Sequence, residues 1–156
     1  LFGISDEFSR IRLDLVVNIL VTKALTEGKL TVFGGEQWRP LLHVVDVANA
    51  IAQTIESDIT GIFNLHYKNF KIIDIAEAIV KKVPSATIET TPMKFQDARN
   101  YQVSSEKLYQ ESGFKASTNL SKGIEEVYDL ISNNRIKNVH HNRYSNQNFL
   151  EEYGIS

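Results

Sequence analysis

Two stretches of this 156-residue chain place cations where they could bind an anion. Arg39 precedes an apolar segment at 40–45, and Lys94 and Arg99 precede a helix. An arginine side chain carries N–H donors in a planar fork that matches the oxygens of a phosphate. From the local sequence, Arg39 is as consistent with an exposed surface charge as with an anion-binding residue. Cations in loops, such as Lys94 and Arg99, are more often solvated than bound to an anion. Both stretches are therefore candidate anion sites.

Other patterns that could do chemistry are weaker. Tyr67 and Lys71 have the Tyr-x-x-x-Lys spacing with which a helix can bring an ammonium to a phenol and lower the pKa of that phenol. The match straddles a predicted loop and the start of a helix, so we interpret it as coincidental. The four histidines have no cysteine beside them, which disfavours a metal site. No Gly-rich phosphate loop occurs, so the usual dinucleotide-binding turn is missing.

Composition limits the classes of protein. Hydrophobic residues make up 42% of the chain and charged residues 23%, which is typical of a packed core. A net charge of −2 lacks the basic excess of a nucleic-acid-binding surface. No apolar run approaches the ~20 residues of a membrane span. The absence of cysteine excludes a disulfide scaffold and fits a reducing compartment. We expect a cytoplasmic protein with neither nucleic-acid nor membrane partners.

Hydrophobic periodicity predicts an α/β chain in which helices alternate with a few short strands. The predicted helices are 12–25, one capped by Asp46, one from Asn69 to Pro84, one from Ser104 to Gly113, and one capped by Ser121. The predicted strands are 29–33, 61–65 and 86–91. Residues 134–156 have weak periodicity and are predicted to form a tail.

Three motifs follow one another along the chain. Asn18 lies on a predicted helix and is followed by a Gly-bounded strand at 28–34. The next motif, around a strand and a helix, consists of Arg39, His43, Val44, Asp46 and Ala48. The last motif consists of Asp97, Arg99, Tyr101, Lys107, Gly113 and Phe114. In this order, the motifs resemble the carboxy-terminal part of the NAD-dependent epimerase/dehydratase family, whose members are extended short-chain dehydrogenase/reductases acting on nucleotide sugars. His66 departs from the family, which has a glycine there that could adopt a positive φ.

The resemblance implies a fold and a division of labour. Residues 1–133 would form a substrate-binding lobe with the last elements of a Rossmann-type sheet, and residues 134–156 would be a tail. The family's Gly-rich NAD loop and catalytic Tyr-x-x-x-Lys lie upstream of the segment that Leu1 resembles. The chain is therefore expected to be a fragment that carries no catalytic or metal-binding residue, with NAD bound mainly by the amino-terminal part.

The resemblance also implies a substrate site. Asn18 and Arg39 would contact the diphosphate of a nucleotide sugar, and Lys94 or Arg99 would supply a further cation to it. Thr31 and Phe33 would flank the base. These six are the implied substrate-binding residues. The complete protein would be a homodimeric epimerase or dehydratase of polysaccharide biosynthesis. Alternatives are a non-catalytic relative that senses a nucleotide in the same cleft, and an interaction module that binds no anion.

We predict that the 156-residue chain alone neither binds NAD tightly nor transfers hydride, because it lacks the Gly-rich turn. NADH absorbance during incubation with NAD and a nucleotide sugar measures this, and hydride transfer by the purified chain would contradict it. In an active complete protein, Tyr67→Phe should leave the rate nearly intact. Loss of a true acid–base residue would instead cost about a hundredfold to ten-thousandfold.

Overall fold

The computed structural model describes residues 1–6, 8–55, 57–92 and 99–154. Over these residues, helices alternate with short strands, which confirms the predicted α/β class. The helices are α1 (Val16–Thr26), α2 (Val44–Thr54), α3 (Ile72–Lys82), α4 (Glu106–Ser112), α5 (Leu120–Ser132) and α6 (Asn146–Glu152). The strands are β1 (Lys29–Phe33), β2 (Trp38–Leu41), β3 (Lys68–Lys71) and β4 (Thr87–Thr91).

The strands form two small sheets in the described part of the chain. Strands β1 and β4 pair in parallel, with Lys29 opposite Thr87, and β2 pairs with β3 antiparallel, with Trp38 opposite Lys71. Helices α1, α3 and α5 pack against one another, and α1 and α3 also contact β1. Fully buried side chains at this junction include Val17, Val21, Leu30, Val32, Ile75, Ile79, Ile124 and Val127. The core thus packs against Leu30 and Val32, whereas the alternate residues Thr31 and Phe33 of β1 are only partly buried.

The first residues of the chain lie between α2 and α5. Phe2 forms a parallel bridge with His43, and its ring meets the imidazole edge-on with the centroids 5.2 Å apart. The His43 side chain is 1% exposed, and its Nε2 lies 2.7 Å from Glu126 Oε2. A Cβ at Gly3 would overlap the imidazole, and one at Gly123 would overlap the Phe2 ring. Both glycines therefore make room for close packing.

Helix α1 begins at Val16, four residues later than the periodicity predicts. The preceding residues have other partners for their backbone groups. Asn18 Nδ2 donates to the Arg12 carbonyl (2.9 Å), and the Leu13 N–H donates to the Tyr144 carbonyl (2.8 Å). These tertiary hydrogen bonds hold residues 12 and 13 outside the helix, although their hydrophobic spacing continues it.

The predicted caps Asp46 and Ser121 are wrong. His43 caps α2, since its Nδ1 accepts from the Val45 N–H (3.2 Å), and Asp46 lies in the first turn. The Asp46 carboxylate instead accepts from the Thr118 N–H (2.9 Å). Helix α5 is capped two residues earlier, by Asn119. Each helix could start at several polar residues, and tertiary contacts decided which one caps it.

The predicted strand at 61–65 is also wrong. These residues pair with no strand in the described part of the chain, whereas the more polar β3 pairs with β2. A β-strand needs a partner for its backbone groups, and hydrophobicity alone does not supply one. Asn69, the predicted cap of α3, lies within β3, and Lys71 occupies the cap position.

Residues 134–154 are more ordered than their periodicity indicates. They contain a short 3₁₀ helix at Asn142–Tyr144 and then α6, and Ile136 is buried in the core. The boundary between a lobe at 1–133 and a tail at 134–156 remains a prediction. The segment is joined to the beginning of the chain by one backbone hydrogen bond, from the Leu13 N–H to the Tyr144 carbonyl, and by side-chain hydrogen bonds of Arg10 and Asp14.

His66, Asn69 and Val103 form a polar network that fixes the segment before α4. Asn69 Oδ1 accepts from the Val103 N–H (3.0 Å), and Asn69 Nδ2 donates to the Val103 carbonyl (2.9 Å). This orients Nδ2 toward His66 Nε2, 3.3 Å away, and His66 Nδ1 lies 2.6 Å from Ser105 Oγ. A neutral imidazole with its proton on Nδ1 satisfies both contacts. His66 does not have a positive φ, so its backbone is compatible with a non-glycine residue.

We expect Gly123→Ala to destabilise the fold, although alanine is usually preferred in a helix. The added methyl would overlap the Phe2 ring, and overpacking of this kind costs about 1–3 kcal/mol. Urea unfolding measures the change. Ser121→Ala, on the exposed side of α5, is the control and should change the free energy of unfolding by less than about 0.5 kcal/mol. A stabilised Gly123→Ala protein would contradict the packing argument.

Burial lowers the pKa of His66 below its ordinary value of 6.5. The unfolded chain therefore binds a proton more readily than the folded chain. The contribution of neutral His66 to stability is present above pH 6.5 and is lost as the pH falls from that value through the lowered pKa of the folded state. We expect the melting temperature to drop between about pH 7 and 5, and to drop less in His66→Gln. The control is His140→Gln, at an exposed position. Equal pH dependence in wild type and His66→Gln would refute this assignment.

Candidate functional site

A cavity of about 600 Å³ opens between α1, β1 and β2. Its apolar wall includes Leu20, Val32 and Leu41. The charged residues that line it are Arg12, Asp14, Lys23, Arg39 and Arg99. The cavity therefore has four cations and one carboxylate among its described lining residues, and it is suited to an anion. Its volume is in the range that holds small-molecule ligands.

Four of the six predicted substrate-binding residues line this cavity together. Thr31 and Phe33 are alternate residues of β1 and lie on one face of the strand, Arg39 lies in β2, and Arg99 follows β4 in the chain. Because 60 residues separate the two arginines in sequence, only the fold brings them to one place. The roles assigned to these residues stay predictions.

Arg39 is held firmly at the cavity wall. Its side chain is 9% exposed, and its Nη1 donates to the Trp38 carbonyl (2.9 Å) and to the Arg99 carbonyl. The Trp38 N–H donates in turn to Asn100 Oδ1 (2.9 Å). With the Asn69–Val103 pair, these contacts bind the segment 99–103 to the edge of β2 and β3. Arg39 thus both faces the cavity and positions the chain that carries Arg99.

Asn18, a further predicted residue, does not line the cavity. Asn18 is fully buried, and its amide bonds the Gly3 N–H (3.1 Å), the Gly3 carbonyl (3.3 Å) and the Arg12 carbonyl. Its hydrogen-bonding groups join the first residues of the chain to α1, so they face the fold interior. Lys94 lies outside the described residues, as does Asp97.

The sequence did not predict five polar residues that also line the cavity. They are Arg12, Asp14, Lys23, Gln37 and Tyr101. Gln37 is buried and shapes the turn after β1, because Oε1 accepts from the Gly35 N–H (2.7 Å) and Nε2 donates to the Phe33 carbonyl (2.7 Å). The sequence marks Tyr101 only as part of a family motif. Arg12, Asp14 and Lys23 lie within the predicted helix 12–25, whose apolar periodicity gives no sign that their side chains line a cavity.

Arg12 and Asp14 form an ion pair at the cavity mouth. Arg12 Nε lies 2.9 Å from Asp14 Oδ1 and Nη2 lies 2.8 Å from Oδ2, a two-pronged geometry that favours a strong contact. Burial alone would raise the pKa of Asp14, but hydrogen bonds from Arg12 and the Asn146 N–H lower it overall. The carboxylate therefore stays ionised and compensates one of the cations.

The Tyr67–Lys71 spacing has no support in the geometry. The two residues do not share a helix face, because Tyr67 precedes β3, whereas Lys71 ends β3 and pairs with Glu36 at 2.7 Å.

Among the residues that the structure describes, no three His, Asp or Glu side chains are grouped so that they could hold a metal ion. In the same residues, no helix is long and apolar enough to cross a membrane.

Comparison with known proteins identifies the family. Residues 5–65 match the NAD dependent epimerase/dehydratase family. UDP-glucuronic acid decarboxylase 1 of Arabidopsis thaliana is 30% identical over 122 residues, which are 76% of this chain and 28% of that protein. The chain thus spans less than a third of that relative.

Solved structures share the fold. The NAD dependent-NDP-hexosamine 5,6-dehydratase TunA superposes with a TM-score of 0.69 at 18% identity, over 78% of this chain and 41% of that one. UDP-glucuronic acid 4-epimerase from Bacillus cereus, in complex with UDP-glucuronic acid and NAD, superposes with a TM-score of 0.68 at 23% identity, over the same shares. The chain belongs to the NAD-dependent epimerase/dehydratase family and has the fold of a carboxy-terminal portion of an extended Rossmann-type short-chain dehydrogenase/reductase.

Proposed function

We propose that this chain is the substrate-binding part of an NAD-dependent nucleotide-sugar epimerase or dehydratase, and that its cavity binds the nucleoside diphosphate. The observation that carries the proposal is the meeting of Arg39 and Arg99 at one cavity wall, beside Thr31 and Phe33. A relative and a solved structure named for UDP-glucuronic acid support the substrate class.

The charge of the cavity matches a diphosphate. Asp14 pairs with Arg12, and Lys23, Arg39 and Arg99 add three further cations to the described lining. Cations held close together in a partly dry site repel one another, and an anionic ligand relieves that repulsion. Arginine suits a diphosphate better than lysine, because its planar fork can donate to two oxygens at once.

The β1 wall suits a nucleobase. Phe33 offers an aromatic ring and Thr31 a hydroxyl, and Leu41 and Pro40 add apolar surface on β2. A flat base can stack on an aromatic ring while its polar edge takes a hydrogen bond from a hydroxyl. The cavity thus offers both apolar surface for a base and cations for the phosphates.

The residues of this chain do not fit a complete NAD site. A dinucleotide's pyrophosphate is usually bound by a Gly-rich turn at a helix start, and this sequence contains no such motif. We therefore assign NAD mainly to sequence outside this chain and derive no step through it. The residues here bind and orient the substrate, and the predicted homodimer would be a property of the complete protein.

Replacing Arg39 should weaken nucleotide binding more than it weakens the fold. Titration of the 156-residue chain with UDP, dTDP, GDP and ADP by calorimetry identifies the tightest ligand. Arg39→Ala loses a charged hydrogen-bond donor, so the Kd for that nucleotide should rise about tenfold to a hundredfold. Arg39→Lys should restore only part of the affinity, because the fork is lost.

The matched control is Lys81→Ala, which removes one positive charge from an exposed position on α3. It should leave the Kd unchanged within about twofold, since it does not line the cavity. Melting temperatures show whether each variant is folded at the titration temperature. If wild type binds none of the four nucleotides, or if Arg39→Ala binds as wild type does, the proposal is wrong.

A further inference from the structure

We propose that Arg12 is an additional phosphate contact of the cavity, and that Asp14 orients it while the first backbone N–H of α6 holds Asp14. This inference rests on the proposed function, because it takes phosphate oxygens as the ligand. Through Asp14, residues 143–146 would affect ligand binding, although none of them lines the cavity. Asp14 is thus a positioning residue, and Arg12 is the group that touches the ligand.

Arg12 has donors to spare at the cavity. Its side chain is 39% exposed, and Asp14 engages its Nε and Nη2. A guanidinium has five N–H donors, so the remaining three have no partner among the residues that the structure describes. A guanidinium fixed on one side by a carboxylate presents its other edge in a defined direction, ready to meet an anion.

The main chain around Arg12 is fixed as well. Its carbonyl accepts from Asn18 Nδ2 (2.9 Å), and the N–H of the next residue donates to the Tyr144 carbonyl (2.8 Å). These two bonds come from different parts of the chain, one from α1 and one from the 3₁₀ helix. Little conformational entropy therefore remains to be lost when Arg12 binds a ligand.

Asp14 connects Arg12 to α6. Its Oδ2 accepts from the Asn146 N–H (3.0 Å) as well as from Arg12. Arg10 strengthens the same junction, with Nε donating to the Arg143 carbonyl (2.6 Å) and Nη2 donating to Asn146 Oδ1 (3.0 Å). The direction of the Asp14 carboxylate, and hence of the Arg12 fork, is set by a residue 132 positions away in the sequence.

A purely structural ion pair explains these contacts less well. A pair this exposed contributes little to stability, so stability alone does not account for an arginine placed at the same cavity as Lys23, Arg39 and Arg99. A bound diphosphate would gain a further hydrogen-bond donor there. Because Arg12 precedes α1 whereas Arg39 and Arg99 come from β2 and the chain after β4, its fork would reach the phosphates from another wall.

The contact between Asp14 and α6 can be tested by removing the Asn146 N–H that donates to Asp14. Asn146 is the first residue of α6, where proline is well tolerated, and Ser145 before it is already extended (φ −118°, ψ 127°). Asn146→Pro therefore deletes the N–H that Asp14 accepts without breaking the helix. Asn146→Ala is the control, because it loses the side-chain contact to Arg10 but keeps the N–H.

We expect Asn146→Pro and Asp14→Asn to weaken binding of the nucleoside diphosphate selected above about threefold to tenfold, and Arg12→Ala about tenfold. Asn146→Ala should bind as wild type does. In Arg12→Ala, adding Asp14→Asn should cost nothing further, whereas a general structural role would weaken binding whether or not Arg12 is present. Melting temperatures verify that the variants are folded, and Asp14→Asn tests the proposal independently of proline.

The sign of the Asp14→Asn effect is decisive. If Asp14 were only a negative charge near the site, its removal would tighten anion binding. Tighter or unchanged binding in Asp14→Asn, or equal Kd values for Asn146→Pro and Asn146→Ala, would overturn this inference and leave the proposed function standing. Failure of wild type to bind any nucleoside diphosphate would overturn both.

Discussion

The buried imidazole of His43 joins the elements that frame the cavity. Its Nδ1 accepts from the Val45 N–H, so its Nε2 carries the proton that it donates to Glu126. Glu126 also accepts from the Ile4 N–H (3.3 Å). One side chain thereby connects the chain start, α2 and α5. Because β2 leads directly into His43, this hydrogen bond also fixes the strand that carries the cavity's central arginine.

Polar side chains, rather than regular secondary structure, set the position of the segments around the cavity. Asn18 bonds both backbone groups of Gly3, and Asn69 bonds both backbone groups of Val103. An amide side chain can satisfy an N–H and a carbonyl at once, as a neighbouring strand would. Irregular segments are thus held as firmly as strands, which lets them present side chains with defined directions.

The cavity brings together charges that would separate in solution. Its cations come from the segment before α1, from α1 itself, from β2 and from the chain after β4. The fold tolerates this because one cation is paired with Asp14 and because Arg39 is surrounded by carbonyl oxygens. Repulsion among the cations raises the free energy of the unliganded site, and an anion that binds there lowers it. The same positive potential therefore favours anionic ligands.

The sequence by itself determined the apolar faces of the main helices, the strands β1 and β4, and the arginines suited to phosphate. These features depend on local spacing and residue type, which short windows of sequence contain. It misplaced the caps of α2 and α5 and the strand at 61–65, because several residues can cap a helix and a strand needs a partner elsewhere in the chain. Only the tertiary structure decided that Arg39 and Arg99 share a cavity, that Asn18 faces the interior, and that α6 reaches Arg12 through Asp14. Those outcomes depend on hydrogen bonds between residues 6 to 132 positions apart, and nothing in the local sequence of either partner encodes such a pairing.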